Sequence, residues 1–265
     1  MTEPVSVRPL SVGDMVQLTD NKGRHHTITL EAGATFHTHK GWFAHDDLIG
    51  RPEGCVITST GGMPYLVLRP ILEDFVLSMG RGAAIIYPKD AFSIVGLAGI
   101  GPGSHVVEAG AGSGSLTCFL LTAVGPTGRV DSHEVRPEFA EVARRNVVRW
   151  FGSEPASWHL HVGDLVQSQP GTADGPPSGA DAVVLDMLAP WECLDVAART
   201  LRPGGRLIGY VATTTQLSLL AESMRADARW TEPRATESMV RTWHLEGLAV
   251  RPDHRMIAHT AFLLV

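Results

Sequence analysis

At 265 residues, with 44% apolar and 19% charged side chains, the chain has enough apolar surface for one large domain, or for a large and a small one. A net charge of −6 does not mark the chain as a nucleic-acid binder, and no run approaches the roughly 18 apolar residues of a membrane helix. Residues 1–4 lack the features of a signal peptide, and Cys55, Cys118 and Cys193 lack C-x-x-C spacing; the expectation is a cytoplasmic protein without disulfides or a thiolate zinc site.

Residues 1–69 lack helical periodicity. Met15–Thr19 and Thr27–Glu31 read as strands joined through Asp20-Asn21-Lys22-Gly23, and Cys55–Thr60 and Tyr65–Leu68 as a second pair around Gly61-Gly62. The pattern predicts a small β-barrel-like N-terminal domain. His25, His26, His37, His39 and His45 fall within it, but no Cys or carboxylate at ligand spacing completes a site, so no metal is expected. Residues 70–104 read as a linker segment over the mouth of the next domain. It holds a short helix over Ile71–Met79, a break at Gly80-Arg81-Gly82, and a helix over Asp90–Ile100 stopped by Gly101-Pro102-Gly103.

From 105 to 265 strands and helices alternate, the signature of a doubly wound α/β sheet. Strands are predicted at His105–Ala109, Arg129–Val135, Trp158–Val162, Ala182–Met187 and Arg206–Ala212. Helices are predicted at Leu116–Val124, Pro137–Arg149, Trp191–Leu201 and Gln216–Arg225. Thr242–Val250 and Met256–Val265 follow without an intervening helix and are expected to close the sheet as an antiparallel pair.

The turn after the first of these strands places Gly110, Gly112 and Gly114 at alternate positions, with Glu108 just upstream. Bare backbone and a helix N-terminus suit a nucleotide-like ligand. The turn lacks the Gly-Lys-Ser/Thr ending of a phosphate loop and the G-x-G-x-x-G of a dinucleotide fingerprint. It resembles motif I of the Rossmann-like S-adenosylmethionine methyltransferases. On that resemblance Glu108 and the three glycines belong to the cofactor site, and Ser113, Gly114, Ser115 and Leu116 wrap the methionine moiety with backbone N–H groups. Glu134, twenty residues after Gly114, is placed to accept the ribose hydroxyls. Asp164 is placed to meet the adenine amino group, Phe139 packs either on the adenine edge or in the core, and Asp186 faces the acceptor.

Asp186 is followed by three residues and then Pro190-Trp191. Further stretches agree with it: Phe36–Gly41, Tyr87-Pro88-Lys89-Asp90, Glu134 with Arg136, Ala143-Arg144-Arg145-Asn146, Tyr210-Val211-Ala212-Thr213, and Gly247–Pro252 with His259-Thr260. Together they resemble the tRNA (adenine-58-N1)-methyltransferase family over residues 12–265, most of all its actinobacterial members. The resemblance implies a Rossmann-like methyltransferase sheet over 105–265 with a small N-terminal all-β domain. It implies S-adenosylmethionine as cofactor, tRNA as partner, a homotetramer, and methyl transfer to N1 of adenine 58. Asp186, Tyr87 and Tyr210 would form the catalytic pocket, the acid accepting from the 6-amino group and the tyrosines holding a flipped base. Trp191 is a weaker match.

Nineteen of the 22 basic residues are Arg, and Arg234, Arg241, Arg251 and Arg255 are expected at phosphates. Ala83-Ala84 departs from the polar residue the family carries before Tyr-Pro, which puts one contact in doubt. Two other readings stand beside this one. The acidic balance suits an enzyme of the same fold acting on a small nucleoside-like metabolite. A non-catalytic tRNA-binding subunit is the other, opposed by the retained glycines, Glu134 and Asp186.

Overall fold

The computed structural model describes residues 8–172 and 175–265. The chain divides between Ser78 and Met79 into two compact units. The first holds β1 (Met15–Asp20), β2 (His25–Thr29), β3 (Thr35–Thr38), β4 (Gly41–Ala44), β5 (Val56–Thr58), β6 (Pro64–Leu68) and α1 (Leu72–Ser78). The predicted linker segment is thus split, with α1 in the first unit and the remainder in the second.

Four strands of the first unit pair antiparallel in the order β2-β1-β6-β5. The β1–β2 turn is fixed by Asp20, whose carboxylate accepts the backbone N–H groups of Lys22 and Arg24, with Gly23 at φ +73°. The hairpin β3–β4 was not predicted. Its Phe36 and Phe43 lie 6.1 and 6.0 Å from the Tyr65 ring and join a core of Leu10, Val16, Leu18, Leu30, Leu48 and Val67. Histidines here make local bonds: His25 with Thr19, His37 with Thr35, and His45 accepting from the Glu31 N–H. Among the described residues no group of three or more His, Cys, Asp or Glu is arranged to hold a metal.

The second unit opens with α2 (Pro88–Ala98) and alternates β7 (His105–Ala109), α3 (Ser115–Val124), β8 (Arg129–Glu134), α4 (Pro137–Phe151), β9 (Trp158–Val162), β10 (Ala180–Asp186), α5 (Leu194–Thr200), β11 (Leu201–Val211) and α6 (Thr214–Arg225). It ends with β12 (Ala235–Thr236), β13 (Trp243–Glu246), β14 (Ala249–Pro252) and β15 (Phe262–Leu264). The main sheet runs β12-β15-β11-β10-β7-β8-β9; β7 to β11 are parallel and β15 is antiparallel to β11. Strand order therefore reverses between β7 and β10, and a crevice opens beyond the carboxyl ends at such a switch point.

Continuous apolar runs make the central strands, since both faces are covered: Val106 and Val107 in β7, and Val183, Val184 and Leu185 in β10, are fully buried. β8 is different. Asp131, Ser132, His133 and Glu134 are all buried and each needs partners. Asp131 accepts from His105, His161 and Arg129 at 2.6–3.0 Å. Burial alone would raise its pKa, but these three donors overcome that and hold the carboxylate far below the usual range.

One expectation is corrected. Thr242–Val250 does not close the sheet with the C-terminal strand; β13 and β14 form a hairpin of their own, and β15 pairs instead with β12. The hairpin shows its apolar side chains to solvent: Trp243 is 57%, Leu245 73% and Val250 58% exposed, and Leu248 at its turn is fully so. Alternation gave a strand correctly, but only a buried face would have given it a place in the sheet.

Candidate active site

A cavity of about 380 Å³ lies beyond the ends of β7, β8 and β10, lined by Gly110, Glu134, Arg136, Asp164, Asp186 and Leu188 among others. A larger cavity of about 490 Å³, beside the opening residues of β11 and lined by Arg206 and Arg234, contains none of the residues expected to act with the cofactor or the acceptor base. Chemistry, not size, therefore selects the crevice.

The glycine turn shapes its floor. Gly110 sits where three strands converge: a Cβ there would lie 3.1 Å from the Asp186 carbonyl oxygen and 3.6 Å from Glu134 Oε2. Gly114 caps α3 in the left-handed region at φ +78°, and a Cβ there would meet Ala143 at 3.1–3.3 Å. Ser115 and Leu116 open α3, so their N–H groups have no acceptor within the helix. The hydroxyls of the turn face elsewhere. Ser113 Oγ accepts the N–H groups of Gly82 and Ala83, and Ser115 Oγ donates to the Ile86 carbonyl. Asn146 ties both sides by donating to Gly80 O and Ser113 O at 2.8 Å. Ala83 thus braces the turn through its backbone, which gives the departure at Ala83-Ala84 a structural setting.

Three acids surround Gly110. Glu134 is 2% exposed; its Oε2 accepts the Gly112 N–H at 2.9 Å and its Oε1 the Arg136 N–H at 3.0 Å. Glu108 is turned beneath the glycines, where Thr117 and Ser132 donate to Oε2 at 2.7 Å and Oε1 is buried without a partner. Burial pushes its pKa up to about 7; the two hydroxyls pull it down and the charges of Asp186 and Glu134 add to the rise. Asp186, half-buried at the end of β10, is raised to about 7 by burial and then by Glu134.

Asp186 and Tyr210 are direct neighbours in the β10–β11 register, so their side chains share one face of the sheet. Burial first, then the Asp90 and Asp186 charges, raise the Tyr210 pKa well above the usual phenol range, so the hydroxyl keeps its proton. Tyr87 is the half-buried residue that precedes α2. Asp164 lines the crevice, exposed, with Oδ1 accepting the Val166 N–H. Phe139 is not part of the crevice lining. The Arg136 guanidinium lies 3.8 Å from its ring centroid, and a Cβ on Gly82 would lie 3.0 Å from the ring. Trp191 packs on the buried cluster around Leu185 and Cys193. Arg234, Arg241, Arg251 and Arg255 are exposed.

Sequence reasoning gave no role to Lys89, Asp90, Ser238 and Thr260, which meet beside Tyr210. Nor did it pick out Gln216, whose amide donates to the Leu188 carbonyl at the cavity rim and whose Oε1 completes the capping box with Thr213. The Thr213-x-x-Gln216 spacing was the available signal.

A seven-stranded sheet with an antiparallel final strand, a glycine turn at its switch point and acids on adjoining strand ends define a Rossmann-like methyltransferase fold. The chain belongs to the family described as "tRNA methyltransferase complex GCD14 subunit", whose model matches residues 64–264; a "TrmI-like N-terminal" model matches residues 9–57. It is 37% identical over 247 residues to the tRNA (adenine(58)-N(1))-methyltransferase TrmI of Thermus thermophilus, covering 93% of this chain and 94% of that one. The crystal structure of tRNA (m1A58) methyltransferase TrmI from Aquifex aeolicus superposes with a TM-score of 0.83 at 26% identity, over 97% of each chain. A structure described as a SAM-dependent O-methyltransferase from Thermotoga maritima gives 0.90 at 28% identity, covering 100% of this chain and 96% of that one.

Proposed function

We propose that this chain transfers a methyl group from S-adenosylmethionine to N1 of adenine 58 in the T-loop of tRNA. The observation that carries the reading is the juxtaposition of Asp186 with Gly110 and Tyr210 at the switch point, in a chain that matches the Thermus enzyme over nearly its whole length.

The crevice fits this cofactor. Glu134, already held by Gly112 and Arg136, has acceptor capacity for a ribose diol. The first turn of α3 suits the carboxylate of an amino acid moiety, while Glu108 is held beneath the glycines by Thr117 and Ser132. When bound, S-adenosylmethionine supplies an electrophilic methyl group on a sulfonium. Asp164 stands at the adenine end, and Phe139 backs the Arg136 side of the crevice.

Neutral adenine N1 attacks with its lone pair, and the product ring is cationic. Ionised Asp186, accepting from the 6-amino group, stabilises the charge as it develops, in a crevice where a carboxylate counts for more than in water. Tyr210 and Tyr87 frame the place of an extruded base, with Tyr210 directly beside the acid. The exposed arginines 234, 251 and 255 offer phosphate contacts; Arg241 spends its Nε on the Asp253 carbonyl. The apolar hairpin β13–β14 supports association into the expected homotetramer. Among the described residues no helix is long and apolar enough to cross a membrane; the proposed place of action is the cytoplasm, with the tRNA substrate.

The direct test is nucleoside analysis after incubation with unmodified tRNA and labelled cofactor. Label is expected in N1-methyladenosine at position 58; label in a 2′-O-methylated nucleoside, or none, would refute the reading.

Asp186→Ala is expected to lower kcat about 100-fold or more while cofactor affinity changes only a few-fold. Since the carboxylate is the working form, wild-type kcat/KM for tRNA should rise with pH to a plateau, with its midpoint below about 7 because the bound sulfonium favours the ionised acid. The variant should lose that limb, and a limb unchanged in it would exclude Asp186 as its source.

Gly110→Ala sets a methyl 3.1 Å from the Asp186 backbone carbonyl oxygen, so a modestly lower unfolding midpoint is expected with the fold retained. Calorimetry with S-adenosylhomocysteine should show at least a roughly tenfold weaker Kd, as overpacking at a ligand site commonly costs about 1–3 kcal/mol. An unchanged Kd would move the cofactor elsewhere.

A further inference from the structure

Three stretches far apart in the chain meet behind Tyr210. Lys89 is 5% and Asp90 1% exposed at the side chain, and they form an ion pair of 2.7 Å at the start of α2. The Lys89 ammonium also donates to the Ser238 carbonyl at 2.8 Å and to Thr260 Oγ1 at 2.6 Å, which uses all three of its protons. Asp90 Oδ1 takes a second bond from Ser238 Oγ at 2.8 Å. Its Oδ2 accepts from Thr260 Oγ1 at 2.6 Å and lies 3.5 Å from the Tyr210 hydroxyl.

The proton arrangement follows. Thr260 accepts from Lys89 and gives its own proton to Asp90, and Asp90 as a carboxylate can only accept. The Thr260 hydroxyl also touches Tyr210, but its proton is committed to Asp90, so the phenol proton is drawn toward Asp90 Oδ2 at 3.5 Å. The phenol oxygen then turns its lone pairs toward the face it shares with Asp186. A side chain that offers only acceptor capacity beside an acceptor acid suits an amino group and rejects a carbonyl. A buried ion pair is a poor device for stability alone, since apolar replacement is often neutral or better, so a pair at this place calls for another account.

We infer that Lys89 and Asp90 are positioning residues for methyl transfer: the pair fixes the Tyr210 hydroxyl as an acceptor beside Asp186, and so tunes the pocket to a base carrying an exocyclic amine. The inference rests on the assignment of Asp186 and Tyr210 to the acceptor pocket. Asp90→Asn keeps the shape but presents an amide N–H to the phenol and reverses its polarity.

The test is a double-mutant cycle on kcat with Asp90→Asn, Tyr210→Phe and both together, using wild-type-like cofactor Kd and unfolding midpoint as controls. Asp90→Asn should lower kcat about tenfold in the wild type, with KM for the cofactor nearly constant, and less than about twofold in the Tyr210→Phe background. If Asp90→Asn does not fold, Lys89→Met with Asp90→Asn, which removes both charges at similar volume, takes its place. Equal losses in both backgrounds would overturn the inference.

A second readout is independent of activity. The chain has three tyrosines, so 3-fluorotyrosine labelling gives three fluorine resonances, assigned by single Tyr→Phe variants. Asp90→Asn should move the Tyr210 resonance and leave that of Tyr65 in place; an unmoved Tyr210 signal also overturns the inference. Failure of the wild type to methylate tRNA would sink the proposed function instead, and the fluorine shift would still decide the coupling.

Discussion

Three carboxylates drawn around one glycine set the conditions for everything else in the crevice. Glu108, Glu134 and Asp186 come from β7, β8 and β10, and Gly110, bare of a side chain, lets the backbone carbonyl of Asp186 and the carboxylate of Glu134 close on the turn. Burial first, then their mutual repulsion, raises both Glu108 and Asp186 to about 7. Such a cluster is relieved by cationic centres in the crevice, which return the acids to their ionised forms. Cofactor binding and readiness of the acceptor acid are thereby linked through one electrostatic constraint.

The rest of the unit holds these acids in place. β8 is a polar strand in a buried position, and three of its four polar side chains are matched: Asp131 by three cationic or imidazole donors, Ser132 by Glu108 and the Trp158 indole, Glu134 by the backbone of the glycine turn, while His133 stacks on His161 with Nε2 unpartnered. The segment before α2 closes the other side through Ser113, Ser115 and Asn146. Loss of any one acceptor would strand a buried donor, so the crevice is rigid by the same bonds that make it acidic.

Much of this was legible in the sequence where local pattern and burial coincide. β7 and β9 fell at their predicted bounds, because short runs closed by turn residues leave little freedom of placement. Glu134 was singled out by its distance from the glycine turn, and Asp186 by its place at the end of a strand ahead of Pro190-Trp191. The hairpin β3–β4 escaped because its strands are four residues each, too short to carry a clear alternation. The closing strand pair was misassigned because β12 has only two residues, too few to carry a period, whereas β13 and β14 alternate convincingly with their apolar side in solvent. The cluster of Lys89, Asp90, Tyr210, Ser238 and Thr260 was invisible for another reason. Its bonds span 120 to 171 positions, and no local pattern encodes a partner that distant.

The central claim is that Asp186 recognises the amino group of the base whose N1 takes the methyl. It is tested most directly with tRNA carrying purine riboside, which lacks the 6-amino group, in place of adenosine 58. Single-turnover rates on the two tRNAs are compared for the wild type and for Asp186→Ala, so that the altered reactivity of N1 itself cancels between the enzymes. The account predicts a much larger penalty for purine in the wild type than in the variant, at similar tRNA affinity. An equal penalty in both enzymes would show that Asp186 does not read the amino group, and would contradict it.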